Sequence, residues 1–94
     1  MRRFEWDSKK AAANVRKHAV RFEDAALAFD DPFGLIVDDE AHSASEHRQM
    51  LIALANRVVV VIFTIRGDAF RIISARKASR HERNIYEKTK IGSR

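Results

Sequence analysis

The most constraining feature of the sequence is an unbroken run of β-branched and aromatic residues, VVVVIFTI, at 58–65. A continuous apolar run of this length is typical of a central strand that is buried on both faces. Turn-forming pairs flank it at 56–57 and 67–68. Segments 48–54 and 69–76 lie beyond these turns, so the sequence predicts an antiparallel meander with 58–65 in its centre.

Helices are predicted on both sides of this meander along the chain. A short strand at 3–6 precedes helical patterns at 9–17 and 22–29, and a further short strand falls at 35–37. A last helix is predicted from Arg80. The resulting order, β-α-α-β-β-β-β-α, predicts an α+β fold with an antiparallel sheet, formed as a single domain by all 94 residues.

The first predicted helix has an apolar and a polar side. Asp7 is a plausible N-cap, and Ala11, Ala12 and Val15, with His18 as a candidate fourth member, form an apolar stripe that we expect to pack on the sheet. The other side carries Lys10, Asn14 and Lys17.

Charge is distributed unevenly along the chain. The formal net charge is +5, but residues 22–46 contain eight acids and no Lys or Arg, whereas both ends are basic. A polyanion would meet the ends, and a basic partner, or nothing, would meet the middle. The absence of Cys excludes disulfides and a thiol nucleophile and fits a reducing compartment. No secretory signal and no membrane span are predicted, so we expect a cytoplasmic location.

A second informative stretch, 71–87, changes from strand to helix with almost no loop. Ser79 followed by Glu82 has the spacing of a capping box, so we expect the helix to begin at Arg80. Four cations crowd this helix start, which predicts an anion site, although a solvated basic helix end is an equal alternative. These cations are Arg76, Lys77, Arg80 and Arg83.

The strand register determines which polar residues meet on the sheet. A two-residue turn at 67–68 would pair Thr64 with Arg71 and Ile62 with Ile73. One bulge would change this assignment, because it moves every later side chain to the other face. With a two-residue turn at 56–57 as well, the predicted polar face carries His47, Gln49, Thr64, Arg66 and Arg71.

Several short blocks between residues 4 and 87 follow one another in a specific order and spacing. They are FEWD at 4–7 before Lys10 and Asn14, KH at 17–18 before VRFE at 20–23, DP at 31–32, His42-Ser43 with Glu46 and Arg48, Thr64 and Arg66, RIISAR at 71–76, and Glu82-Arg83 with Tyr86-Glu87. In this combination the chain resembles the BrnT family of bacterial toxins from type II toxin–antitoxin pairs.

The resemblance implies a RelE-like fold and a ribonuclease that blocks translation. It also implies neutralisation by a BrnA-like antitoxin with a ribbon-helix-helix DNA-binding part, within a heterotetramer, and contact with operator DNA only through that antitoxin. One departure is Ala19, because the family usually has Gly after Lys-His. If this position is a left-handed helix cap, Ala costs about 1 kcal/mol there.

RNA can be cleaved without a metal when a 2′-hydroxyl attacks the adjacent phosphate, giving a cyclic phosphate and a free 5′-hydroxyl. The reaction needs a base, an acid and cations for the phosphorane charge. The acid–base groups on offer are His42, Glu46, His47, His81 and Tyr86. With the resemblance, we expect the catalytic groups to be His42, Glu46, Arg48, Arg66, Arg76, Arg83 and Tyr86. The expected RNA-binding residues are Lys10, Lys17, Arg71, Lys77 and Arg80.

Several of these residues have structural alternatives. Tyr86 is equally compatible with helix packing and Arg66 with a solvated strand end, and we interpret His18 as a contact at a helix C-terminus. The four histidines show no metal-binding spacing with carboxylates, so neither a metal site nor a cofactor is predicted. The rival function is a non-catalytic basic module that binds nucleic acid or a protein.

Overall fold

The elements follow one another in the predicted order. The computed structural model describes residues 2–40 and 46–92. The α+β class and the order β-α-α-β-β-β-β-α are confirmed within these ranges. The bounds are β1 Arg3–Glu5, α1 Ser8–His18, α2 Phe22–Leu27, a 3-10 turn Ala28–Asp30, β2 Leu35–Asp38, β3 Gln49–Ala55, β4 Arg57–Arg66, β5 Ala69–Lys77 and α3 Arg80–Gly92.

The five strands form one mixed sheet in the order β1-β5-β4-β3-β2. Strands β2 to β5 are antiparallel neighbours, as the meander predicted, but β1 pairs with β5 in parallel. The prediction of a purely antiparallel sheet is therefore wrong at this edge. The two helices between β1 and β2 remove the constraint of a hairpin, so β1 can join the outer edge of β5 in either direction.

One face of the sheet, here called the helix face, packs against α1, α2 and the 3-10 turn. Phe29 of the turn lies 5.0 Å, between ring centroids, from both Phe63 and Phe70. Val59 and Val61 of β4 are buried on this face, and Val60 is buried on the other, which confirms β4 as a central strand. The buried core of the helix face is formed by Val20, Phe22, Ala25, Ala28, Phe29, Leu51, Ala53, Val59, Val61, Phe63, Ile72 and Ala75.

The second face, here called the open face, is only partly covered. Helix α3 packs on one half, where Tyr86 and Ala78 join Ile52 and Val60 in a smaller core. Among residues 2–40 and 46–92, no helix lies over the other half of this face, which carries most of the polar side chains discussed below.

The register between β4 and β5 is confirmed at the turn and changes further along. Thr64 pairs with Arg71 as predicted, but Ile62 pairs with Ser74 and not with Ile73. A bulge between Ile62 and Phe63 leaves Ile73 as the extra residue of β5. Ile72 can therefore face the helix-side core while Ser74 lies on the open face.

The turn between β3 and β4 is tighter than predicted. Ala55 pairs directly with Arg57, and Asn56 between them has a left-handed φ of 65°. The predicted two-residue turn is wrong by one position, so Gln49 pairs with Phe63 on the helix face. Gln49 consequently does not join the polar residues of the open face.

Asn14 fixes α1 to the sheet where β5 has no neighbouring strand. β1 pairs only with residues 69–71, which leaves the later backbone of β5 at the sheet edge. The Asn14 Nδ2 donates to the Ala75 carbonyl at 2.8 Å, and its Oδ1 accepts from the Ala75 N–H at 3.1 Å. Nδ2 also donates to the Val20 carbonyl at 2.9 Å. One amide thus replaces a missing strand and holds the segment after α1.

The side of α1 that faces the sheet differs from the predicted one. Ala11 packs on the core, but Ala12 and Val15 of the predicted apolar stripe are exposed. Asn14, expected on the polar side, is the buried residue of the helix. Periodicity failed here because the unpaired edge of β5 required a side chain that both donates and accepts hydrogen bonds.

The end of α1 generates a stability prediction. Ala19 is the C-cap, with φ 57° and ψ 34°, and its N–H donates to the Val15 carbonyl. A left-handed conformation costs an L-residue with a Cβ about 1 kcal/mol or more. We expect Ala19→Gly to raise the free energy of unfolding by about 1 kcal/mol, and the Tm by about 4–8 °C. Urea and thermal unfolding followed by circular dichroism measure both quantities.

The matched control is Ala12→Gly, at an exposed position inside the same helix. It adds the same freedom to the unfolded chain but removes a good helix former, so the free energy of unfolding should fall by about 1 kcal/mol. A change of the same sign in both variants would contradict the interpretation of residue 19.

Candidate functional site

A cleft of about 320 Å³ lies on the uncovered half of the open face. The sheet forms its floor, α1 contributes one wall through the last residue of that helix, and the segment after β2 contributes another through Asp39. The cleft is lined by His18, Asp39, Arg48, Met50, Ile62, Ile73, Ser74 and Arg76. The bulge in β5 shapes the floor, because it brings Ser74 opposite Ile62.

A bidentate ion pair with Glu82 holds Arg76 in this cleft. Its Nη1 and Nη2 donate to the two carboxylate oxygens of Glu82 at 2.7 and 2.9 Å. The hydrogen bonds from Arg76, opposed by burial, lower the pKa of Glu82 to about 2. The same hydrogen bonds raise the pKa of Arg76. Both groups therefore stay charged, and the guanidinium is fixed in orientation.

Glu82 also caps α3, which changes the predicted anion site. Ser79 N donates to Glu82 Oε1 at 2.8 Å, and Glu82 N donates to Ser79 Oγ at 3.2 Å, so the capping box is confirmed. The helix start was expected to attract an external anion, but the Glu82 carboxylate of the chain itself occupies this position. Arg80 and Lys77 are exposed beside it, and Arg83 donates to the Ala78 carbonyl at 3.0 Å.

Arg48 and Arg66 are connected through Glu46. The Arg48 Nε lies 3.6 Å from Glu46 Oε1, and an Nη of Arg66 lies 3.4 Å from Glu46 Oε2. Arg48 lines the cleft, whereas Arg66 does not. Arg66 lies six residues along β4 from Val60, the partner of Arg76, which separates the two arginine backbones by about 20 Å. The structure thus brings Arg48 and Arg76 together and leaves Arg66 at the far end.

Tyr86 lies in the core under α3 and not in the cleft. Its side chain is 1% exposed, and its hydroxyl donates to Asp31 Oδ2 at 2.6 Å. Burial and the bond to Asp31 raise the pKa of Tyr86 to about 12. Asp31 also accepts from the backbone N–H groups of Phe33 and Leu54. This position corresponds to the structural alternative for Tyr86, which is packing of the helix.

A second groove continues from the cleft along α1. It measures about 180 Å³ and is lined by Lys10, Ala13, Asn14, Lys17, His18, Ile73 and Ser74. His18, Ile73 and Ser74 line both spaces, so the groove adjoins the cleft. The structure therefore brings the predicted RNA-binding residues Lys10 and Lys17 to the entrance of the cleft. Arg71 lies apart, paired with Glu5 at 2.9 Å.

His18 is a cleft residue that sequence reasoning assigned to a helix end. It is the last residue of α1, and its half-buried side chain lines both the cleft and the groove. The signal in the sequence was its place next to Lys17, but neither periodicity nor charge indicated which way α1 faced. Ser74 and Asp39 were missed for a similar reason, since the bulge and the course of the chain after β2 determine their positions.

His42 lies outside the described residues. Among residues 2–40 and 46–92, no group of three or more His, Asp or Glu side chains has the arrangement of a metal site. In the same ranges, no helix is long and apolar enough to cross a membrane.

Comparison with known proteins gives the same assignment by sequence and by fold. Residues 6–82 match the family described as "Ribonuclease toxin, BrnT, of type II toxin-antitoxin system". The crystal structure of the Brucella abortus ribonuclease toxin, BrnT, has a TM-score of 0.69 and 30% identity, with 85% of this chain and 100% of that chain covered. No curated protein sequence matches. From residues 6–82 and from its fold, the chain belongs to the BrnT family of ribonuclease toxins of type II toxin–antitoxin systems.

Proposed function

We propose that this toxin is a metal-independent endoribonuclease that inhibits translation in the bacterial cytoplasm, and that its fold is RelE-like. The observation that carries the proposal is the cleft on the open face, where two arginines, Arg48 and Arg76, line one space that adjoins a groove lined by two lysines. A phosphate in the cleft would meet fixed positive charge, while the groove would accommodate the adjoining RNA backbone.

The proposed reaction is internal transesterification of the RNA backbone. The 2′-oxygen forms a bond to phosphorus as the bond to O5′ breaks, giving a 2′,3′-cyclic phosphate and a 5′-hydroxyl. Charge accumulates on the phosphorane oxygens, and preorganised cations stabilise it most when they need no reorientation. Arg76 meets this requirement because Glu82 fixes its guanidinium, with other N–H groups left for a phosphate.

Glu82 would thus act as a positioning residue for Arg76. Arg48 would supply the second cation, and Glu46 would orient it from the other side. Lys10 and Lys17 would bind phosphates leading into the cleft, and Lys77, Arg80 and Arg83 would bind those near α3. Arg66 and Arg71 lie farther along the open face and would contact a longer RNA. His42 remains a candidate for proton transfer.

The first prediction concerns metal dependence. Because arginines fill the role that a divalent ion would have at the phosphate, the purified protein should cleave RNA at an unchanged rate in excess EDTA. Product analysis should find 2′,3′-cyclic phosphate and 5′-hydroxyl termini. Cleavage that disappears in EDTA and returns with a divalent ion would contradict the mechanism. Binding to RNA without any cleavage would favour the rival basic module.

The second prediction concerns phosphate charge. Arg66→Ala, Arg76→Ala and Arg83→Ala should each abolish growth inhibition at equal expression. In the RNA cleavage assay, the rate of Arg76→Ala should fall about 10²–10³-fold, as for removal of one transition-state donor. Arg66 and Arg83 are exposed, so their variants should keep the Tm of the parent.

The control for these variants is Arg21→Ala. Arg21 is exposed, lies outside the cleft and is 3.9 Å from Glu23, so its loss removes the same charge with little structural effect. Growth inhibition equal to that of the parent is expected for this control. If Arg66→Ala, Arg76→Ala and Arg83→Ala all inhibit growth as strongly as the parent protein, other residues must stabilise the phosphate charge.

We further propose a BrnA-like ribbon-helix-helix antitoxin as the normal partner, in a heterotetramer that reaches operator DNA through the antitoxin alone. The acidic stretch 22–46 remains the expected contact, with one change. Asp39 is buried and its N–H donates to the Arg48 carbonyl, so it cannot form a docking surface. Asp38 and Glu40, on either side, are exposed.

The third prediction tests this surface. Asp38→Lys combined with Glu40→Lys should slow association with the antitoxin, most strongly at low salt, because charge complementarity acts mainly on the association rate. The same reversal at Asp68 and Glu87, which are exposed outside the acidic stretch, should have little effect. Stopped-flow association at several salt concentrations measures the difference. Equal rates for the two double variants would reject the acidic stretch as the contact.

A further inference from the structure

We propose that His18 is the general base that takes the proton from the attacking 2′-hydroxyl of RNA. This assignment rests on the proposed ribonuclease function and goes beyond it, because it gives the proton-transfer step to a residue of α1. Imidazole is the side chain whose ordinary titration range lies closest to neutral pH, and it can accept a proton there.

The position of His18 is fixed by the backbone around it. Asn14, one turn earlier, is bonded to Ala75 of β5 and to Val20 beyond the helix. Ala19 ends the helix in a left-handed conformation, and its carbonyl accepts from Arg57 Nη2 at 2.7 Å. These contacts on both sides hold the last residue of α1 at the junction of the cleft and the groove.

The other titratable groups near the cleft are already engaged. Glu82 is bound to Arg76, Glu46 lies between two arginines, and Asp39 is buried with contacts of its own. Tyr86 is bonded to Asp31 in the core. Within residues 2–40 and 46–92, the His18 ring makes no hydrogen bond or ion pair. It is therefore the described acid–base group of the cleft that can turn to a substrate without giving up a contact.

The charges around His18 suit this task. Arg48, Arg76 and Asp39 face it across the cleft, and Lys10 and Lys17 face the groove from its own helix. The cations would draw a phosphate between the sheet and α1, which places the adjacent ribose beside the imidazole. Arginine itself cannot take the proton, because its guanidinium stays charged.

The step balances with water as the only other participant. The imidazole nitrogen takes the 2′-proton as the 2′-oxygen bonds to phosphorus. The P–O5′ bond breaks, and O5′ takes a proton from water. The imidazolium then returns its proton to the solvent, which leaves a cyclic phosphate, a 5′-hydroxyl and the neutral ring.

The test begins with single-turnover cleavage of a short RNA by His18→Gln. We expect the rate to fall about 10²–10⁴-fold, as for the loss of a general base. Affinity for the same RNA with a 2′-deoxyribose at the cleaved position should change less than about twofold. His18→Ala with added imidazole supplies a second variant, and recovery of cleavage is expected. His81→Gln, on an exposed histidine of α3 outside the cleft, should cleave like the parent.

A second substrate distinguishes whether His18 acts as the general base or as the general acid. An RNA with sulfur in place of the bridging O5′ has a leaving group that departs without a proton. If His18 is the base, His18→Gln remains as slow on this substrate, relative to the parent, as on ordinary RNA. Two results would overturn the assignment. One is that His18→Gln cleaves the sulfur substrate as fast as the parent does, and the other is that His18→Gln cleaves ordinary RNA at the parental rate. Failure of the parent to cleave either substrate would instead reject the proposed function.

Discussion

The arrangement of this molecule depends on how the exposed edge of β5 is satisfied. An edge strand presents backbone donors and acceptors that must find partners, and β1 is too short to supply them beyond residue 71. The Asn14 amide bonds to both polar groups of Ala75 and adds a third bond to Val20. Because these bonds fix the rotation of α1 as well as its position, they also determine that Lys10 and Lys17 line the groove and that His18 lines both the groove and the cleft.

The cleft exists because α3 covers only half of the open face. The polar contacts that hold this helix include a bond of Tyr86 to Asp31 under the helix and the ion pair of Glu82 with Arg76 at the helix start. The second of these lies beside the cleft. The second contact joins the cap of α3 to the cleft, since the carboxylate that caps the helix also orients a cation that lines the cleft. A cationic site would otherwise lower stability through the repulsion of its own charges. Internal carboxylates reduce this repulsion while the guanidinium groups keep their charge.

The acidic middle of the chain has a similar double role. Asp31 anchors Tyr86, Glu46 bridges Arg48 and Arg66, and Asp30 pairs with Arg2. Part of the negative charge that looked available for a partner is thus already paired within the toxin, although Asp30 remains exposed. The part of this stretch left at the surface is smaller than the composition suggested, so an antitoxin that binds there would recognise a defined patch and not a general field.

The sequence alone determined the features that depend on neighbouring residues. These include the element order, the central strand, the capping box of Ser79 and Glu82, and the pairing of Thr64 with Arg71 next to a tight turn. The tertiary structure decided the bulge at Ile73, the one-residue shift at Asn56, the burial of Tyr86 and the face that α1 presents. Each of these depends on distant contacts, such as the 61-residue separation between Asn14 and Ala75, which no local pattern of polarity encodes. The cleft lies among features of this second kind, so the sequence could name most of its cations but not show which of them meet.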